Sequence, residues 1–338
     1  MWLTKREKEI LRIVIELYME KGTPVSSRMV SKKKRDFFSP ATIRNDMLSL
    51  EEKGYLYQPH SQSGRIPTTK AINYYLKNLI DESKIEIPEL NFRDLSGEFT
   101  DLTNFWKAVS QNLSSFSENI GFIVAPSFFS LSFTNVKFLK IGKGKIIIII
   151  ETPGGLVATR VVKVKEELLQ RDLDEFSVYI NTHYRGKSLD YVLKDVYINA
   201  KREQKKLLLF ISVLKSYVTN RDSKFEFYFD GEEKMLEKTI DDDVKRIKEL
   251  VQILENRDKL IKLLSEAKNQ EDVSVFFSPL IGEETYEDFS LFVSDYQCGD
   301  EMEGKVGILG FRRLNYPIVY NLVKKTAKSL SGILGENL

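Results

Sequence analysis

The chain has 338 residues, 42% hydrophobic, 30% charged and 11% aromatic, a balance that excludes a disordered or fibrous protein and suggests two or three domains. A single cysteine, Cys298, excludes a disulfide framework and any Cys-rich zinc module, and with two histidines, His60 and His183, a metal site would rest on carboxylates. The net charge of +2 conceals a split: residues 1–80 carry 15 Lys and Arg against 8 Asp and Glu, whereas the remainder carries 36 against 41.

A compact basic segment on an acidic body is the electrostatic pattern of a nucleic-acid-binding head on a regulatory body. The opening MWLTKREKEI is charged and leads into no apolar signal region. Apolar runs such as Ile146–Ile150 fall far short of the roughly 20 residues that a membrane helix needs, so a soluble, cytoplasmic protein is expected.

In chain order, Thr4 followed by Glu7 forms a capping box, and Ile10, Val14, Leu17 and Tyr18 continue at helical spacing to a stop at Gly22. A short helix is expected over about Ser27 to Lys33. Ser39-Pro40 then gives an N-cap with proline in the first helical position, and Ile43, Met47 and Leu50 make one apolar stripe before Gly54. Tyr55–Gln58 and Arg65-Ile66 form a hairpin around the turn residues Pro59, Ser61, Ser63 and Gly64. Helix, short helix, helix and hairpin is the order of a winged helix-turn-helix. Thr68 caps a further helix, and residues 81–100 read as a linker.

Beyond it, a helix over Leu102–Ser117 precedes strands at Gly121–Ala125, Asn135–Ile141, Lys145–Glu151 and Leu156–Val164; their connections are too short for crossovers, so the meander is antiparallel. A mainly helical block spans about 166–243, broken by one strand at Lys224–Asp230, where Phe225, Phe227 and Phe229 share a core-facing side and Tyr228 points the other way, toward a subunit interface. A long helix is expected over Val244–Ala267, strands at Val273–Ser278, Phe289–Gln297 and Gly304–Phe311, and a final amphipathic helix over Tyr316–Leu334. The fold class is α+β: a winged-helix head (1–80), an antiparallel-sheet body (101–165 and 244–338), and a mainly helical domain inserted in it (166–243).

The third helix carries the chemistry. With Ile43, Met47 and Leu50 turned inward, about 100° per residue sets Ala41, Asn45, Leu48 and Ser49 opposite, with Thr42 and Arg44 on the flanks. Asn suits adenine, Arg suits guanine, and Thr or a small residue admits the thymine methyl. Ser39 and the free N–H groups of the helix start suit a phosphate. Lys32, Lys33, Lys34 and Arg35 immediately precede this helix and read as salt-sensitive phosphate contacts. In the hairpin turn, His60, Ser63 and Arg65 are placed near DNA, with Arg65 reaching a phosphate or the minor groove.

These residues support a resemblance. LTKREKEIL, SPATIRNDMLSLEEKGYLYQPHSQSGRIPT and the NYYL that follows are similar to the head of the heat-inducible transcription repressor HrcA family. IGEE at Ile281–Glu284 and GKVGILGFRRLNYPIV at Gly304–Val319 agree in places; against the family's GPTRMDY, Arg313 and Tyr316 match and Phe311, Arg312 and Asn315 depart. The resemblance implies a repressor of chaperone operons that binds double-stranded DNA, an inverted-repeat operator called CIRCE, as a homodimer. It implies a winged-helix head, a GAF-like body, a dimerising domain inserted in that body, and dependence on the GroEL chaperonin.

Enzyme signatures do not accompany the basic head. No phosphate-binding G-x-x-x-x-G-K-[ST] loop, G-x-G-x-x-G or H-E-x-x-H occurs, and Gly142-Lys143-Gly144-Lys145 reads as a basic hairpin turn. Asp241, Asp242 and Asp243 read as a helix N-terminus favouring negative charge. No cofactor and no metal are expected; the competing reading is a winged-helix regulator gated by a small molecule bound in the GAF-like body.

Overall fold

The computed structural model describes residues 2–33, 38–61, 63–80, 85, 102–153, 155, 157–164, 168–199, 225–237, 264, 272–277, 289–298, 303–311 and 314–335. Lys34, Arg35, Gln62, the expected linker apart from Ile85, the Asp241–Asp243 run, all of the expected 244–267 helix but Leu264, the IGEE segment, Arg312 and Arg313 lie outside these residues.

The head opens with α1 (Lys5–Lys21). Thr4 caps it, the Thr4 hydroxyl accepting the Glu7 N–H while the Glu7 carboxylate accepts the Thr4 N–H. Gly22, left-handed at φ 62°, ends the helix and donates its N–H to the Tyr18 carbonyl. After α2 (Ser27–Lys33), Ser39 caps α3 (Pro40–Glu52) by accepting the Thr42 N–H. The hairpin of β1 (Leu56–Tyr57) and β2 (Ile66–Pro67) forms the wing, and α4 (Thr69–Asn78) follows, capped by Thr68. A two-way backbone bridge between Val25 and Arg65 adds a third, one-residue strand to the wing. Ile10, Leu11 and Val14 of α1, Val30 of α2, Ile43, Met47 and Leu50 of α3, and Ile72 and Leu76 of α4 close the core between these elements.

The body holds two antiparallel sheets, and with the head it makes an α+β architecture. Its larger sheet runs in the order β7-β3-β10-β9-β8, built from β3 (Ile120–Pro126), β7 (Phe225–Asp230), β8 (Ser274–Phe277), β9 (Phe289–Gln297) and β10 (Glu303–Phe311). Both faces are covered, which is why β3 is buried along its whole length. The helix α5 (Leu102–Ser117) packs on β3, and the last helix, α9 (Tyr316–Gly335), packs on β9 and β10. Ile123, Phe292, Tyr296 and Ile308 lie in the main core cluster, whereas Phe122, Val124, Leu291 and Val293 join a second cluster with Met235 of α8 (Glu232–Glu237) and Leu264.

The smaller sheet is the meander β4 (Asn135–Gly142), β5 (Lys145–Glu151) and β6 (Val157–Lys163), with α6 (Gln170–Tyr184) along β4 and α7 (Leu189–Asn199) after it. Its inner side chains, Phe138, Ile146, Ile148, Ile150 and Val162, are buried in one cluster with Leu173, Phe176 and Ile180 of α6. The free backbone edge of β4 is satisfied by α6: Asn181 bonds both the N–H and the carbonyl of Val136, Ser177 accepts the Phe138 N–H, and Gln170 bonds the Phe138 carbonyl and the Lys140 N–H.

Strand pairing therefore groups the body differently from the reading by chain order. Phe225–Asp230, expected within the inserted block, pairs along β3 in the larger sheet, and the meander, expected in the body, forms a sheet of its own. Phe227 stacks on Phe122 at 5.6 Å between centroids and packs half-buried against the second cluster, while Tyr228 turns to the main cluster and donates its hydroxyl to Glu226. Glu226 in turn pairs with Arg160 of β6, a polar tie between the two sheets. The head meets the body where α4 packs against β8 and α9.

Candidate nucleic-acid interface

The outward face of α3 is a polar stripe on a buried support. Ile43, Asp46, Met47 and Leu50 are buried, and Ala41, Arg44, Asn45 and Leu48 stand exposed on successive turns of the other side. At the helix start Ser39 is exposed, Thr42 is half-buried, and their hydroxyls lie 3.0 Å apart. The side chains of Arg44 and Asn45 are exposed and make no hydrogen bond or ion pair among the described residues. This is the side-chain set that can read base edges in a major groove, with a helix N-terminus beside it for a phosphate.

Other expected contact residues are engaged within the protein. The Ser49 hydroxyl donates to Glu7 Oε1 at 2.8 Å, which turns it toward α1 and away from the exposed stripe. Arg65 is buried, 7% exposed, with Nε 2.9 Å from Glu51 Oε2. Ser63 shapes the wing turn: its hydroxyl donates to the His60 carbonyl and accepts the His60 N–H, leaving the His60 ring exposed at the tip. Lys33 is exposed and paired with Glu20 at 2.7 Å, a surface contact that phosphate can replace at little cost.

Two carboxylates complete the site: Asp46, which the sequence pattern passes over, and Glu7, legible there only as the partner of Thr4 in a capping box. Glu7, at the third position of α1, and Asp46, a charged residue inside the inward stripe of α3, are both buried. Arg6 holds Asp46 with Nε–Oδ2 at 2.7 Å and also lies over the exposed Phe38 ring at 5.2 Å, just ahead of the Ser39 cap. The signal for Asp46 was its place three residues from Ile43, where an apolar side chain would be expected.

Residues 2–79 match the family model described as "Winged helix-turn-helix transcription repressor, HrcA DNA-binding", and residues 104–319 match "HrcA protein C terminal domain". The chain belongs to the HrcA family of heat-inducible transcription repressors. It is 31% identical over 341 residues to the heat-inducible transcription repressor HrcA of Geobacter sulfurreducens, covering 98% of each chain. The repressor of the same name from Syntrophobacter fumaroxidans is 29% identical, covering 99% of this chain and 98% of the other. A solved structure titled "Crystal structure of a hypothetical protein at 2.2 A resolution" superposes over the whole of both chains with a TM-score of 0.62 at 24% identity, a likeness of fold.

Members of this family are repressors and not enzymes, and the winged helix is their DNA-binding domain. No helix among the described residues is long and apolar enough to cross a membrane. Burial pushes the Cys298 thiol up to a pKa of about 12, and the residue lines a small cavity with Trp106, Leu131, Thr152, Pro153 and Leu334.

Proposed function

We propose that the chain is a homodimeric cytoplasmic repressor of heat-shock chaperone operons that binds a CIRCE-type inverted repeat and is kept active by the GroEL chaperonin. The observation that carries the reading is the exposed stripe of Ala41, Arg44 and Asn45 on α3, with Ser39 and Thr42 at its start. Each α3 enters one major-groove half-site, so the two-fold axis of the protein mirrors the symmetry of the repeat. Lys33, Lys34 and Arg35 supply sequence-independent phosphate contacts, and His60 and Ser63 bring the wing tip over the flanking backbone.

The outer face of the smaller sheet supports dimerisation. Leu139, Ile147 and Val161 form one cross-strand row there, and Val161 is 47% exposed. An apolar row of this kind, with half-buried Ile149 on the same face, suits a second copy of itself across a two-fold axis. Heat would act by lowering the population of the DNA-competent arrangement of head and body, and chaperonin by restoring it.

The test is fluorescence anisotropy with a labelled CIRCE-type repeat against a scrambled duplex of equal composition at physiological salt, with and without GroEL. Preference for the repeat that rises with GroEL is the expected result. Equal binding to both duplexes by the full-length dimer would overturn the operator reading, and preference indifferent to GroEL would overturn its regulation.

A further inference from the structure

Recognition helices are set on their supports by apolar contacts, which are nondirectional and tolerate small rotations. A rotation of α3 by about 20° would move its side-chain tips by about 2 Å, given a helix some 10–12 Å across, enough to break a base-edge hydrogen bond. Something directional has to fix that angle. Beside the apolar stripe of α3 runs a second seam, Asp46, Ser49 and Lys53, spaced by three and four residues and facing the start of α1.

Two successive residues of α1 grip this seam at two levels. Arg6 holds Asp46. Glu7, whose side chain is 4% exposed, splits its carboxylate: Oε2 accepts the Thr4 N–H at 2.8 Å, closing the capping box, while Oε1 accepts the Ser49 hydroxyl at 2.8 Å and the Lys53 ammonium at 2.5 Å. One carboxylate thus joins the first turn of α1 to the last turn of α3.

We infer that Glu7 is the positioning residue of the recognition helix, acting through Ser49 and Lys53 to set the rotation of α3 and so which of its side chains meet the base edges. The inference rests on the repressor reading above and deepens it. It gives Ser49 a role in selectivity without contact to DNA, and makes Lys53 a holder of α3 and not a phosphate ligand. The charge state agrees: burial works to raise the Glu7 pKa, but the hydrogen bonds from Lys53, Thr4 and Ser49 outweigh it and bring it down to about 2, so the clamp is ionised throughout the physiological range.

The experiment uses the full-length protein and measures affinity for a CIRCE-type repeat and for a scrambled duplex, at a temperature where melting curves show every variant folded. Ser49→Ala is expected to lower the ratio of the two affinities roughly 5- to 10-fold, the scale of one hydrogen bond, while affinity for the scrambled duplex and the salt slope stay unchanged. In a Glu7→Gln background the same change should add little, since both act on one contact. An unchanged ratio with a lower melting temperature would overturn the proposal in favour of a purely structural clamp. Costs that add across the double variant would overturn it by making Ser49 a DNA contact. If Glu7→Gln does not fold, Lys53→Gln replaces it in the cycle. Failure of the repressor reading itself is distinct, because the wild-type ratio would already be near one.

Discussion

Arg65 Nε stands 2.9 Å from Glu51 Oε2, and this pair ties the base of the wing to the last turn of the recognition helix. The Arg65 side chain is nearly enclosed and that of Glu51 partly so, so removing the cation leaves a carboxylate without its partner beside the core. Arg65→Met is expected to destabilise the head by about 2–3 kcal/mol, near the lower end for breaking a buried pair. The salt slope of DNA binding should stay as in the wild type. A slope reduced by about one unit would mean that Arg65 leaves Glu51 to neutralise a phosphate.

Asn45 is exposed on the stripe and carries both a donor and an acceptor, which fits a bidentate contact with adenine. Asn45→Ala should relax discrimination at one base pair of each half-site by roughly 1–3 kcal/mol. Binding measured across a panel of single-base operator variants locates that position. If the ranking of the panel does not change, the reading face of α3 lies elsewhere.

The local signals of the head were legible in the sequence because each is resolved within one turn of chain. Thr4 with Glu7, Gly22, Ser39-Pro40 and Thr68 all cap where their residue types require it. The strands were legible from alternation, yet their grouping was not. β7 joins β3 across about a hundred intervening residues, and no local pattern encodes that choice. In the site, Ala41, Asn45 and Leu48 were legible as the outward face of α3, with Arg44 on its flank. Ser49 reads as outward from the same spacing and Arg65 from its place in the polar hairpin turn, and what turns them inward is Glu7 and Glu51, partners 42 and 14 residues away.

The wing also depends on the absence of a side chain at Gly64. A Cβ there would lie 2.5 Å from the backbone carbonyl carbon of Val25, inside the bridge that joins the wing to the segment before α2. Gly64→Ala must push that bridge apart, and a cost of about 1–3 kcal/mol is expected. Thermal melting of the variant checks it, with DNA affinity falling in parallel as the wing shifts.

Glu7 gives the head an acid-labile stability. Its folded pKa of about 2 lies below the ordinary glutamate value of 4.5, so the ionised form is stabilised by folding. That stability is complete above about pH 4.5 and is lost as the pH falls toward 2, where the folded carboxylate takes up its proton. The melting temperature of the wild-type protein should therefore drop more steeply over this window than that of Glu7→Gln. Parallel curves would show that other carboxylates govern acid unfolding.

The outer row of the smaller sheet offers a test of assembly that leaves the head untouched. Val161 lies beside Ile147, with Leu139 beyond it on β4 and Thr159 and Lys163 as its same-face neighbours along the strand, so a carboxylate there meets solvent in a monomer and apolar surface in a dimer. Val161→Asp should fold normally, because its side chain takes no part in the buried core. It should weaken self-association by roughly 10- to 100-fold, the effect of burying an uncompensated charge in an apolar interface. Sedimentation velocity across a concentration series reads this directly. Because an inverted repeat presents two half-sites, the same variant should lose affinity for the full repeat while binding a single half-site as the wild type does. An unchanged dimer would move the interface off this face, and a monomer that still bound the full repeat tightly would separate dimerisation from operator recognition.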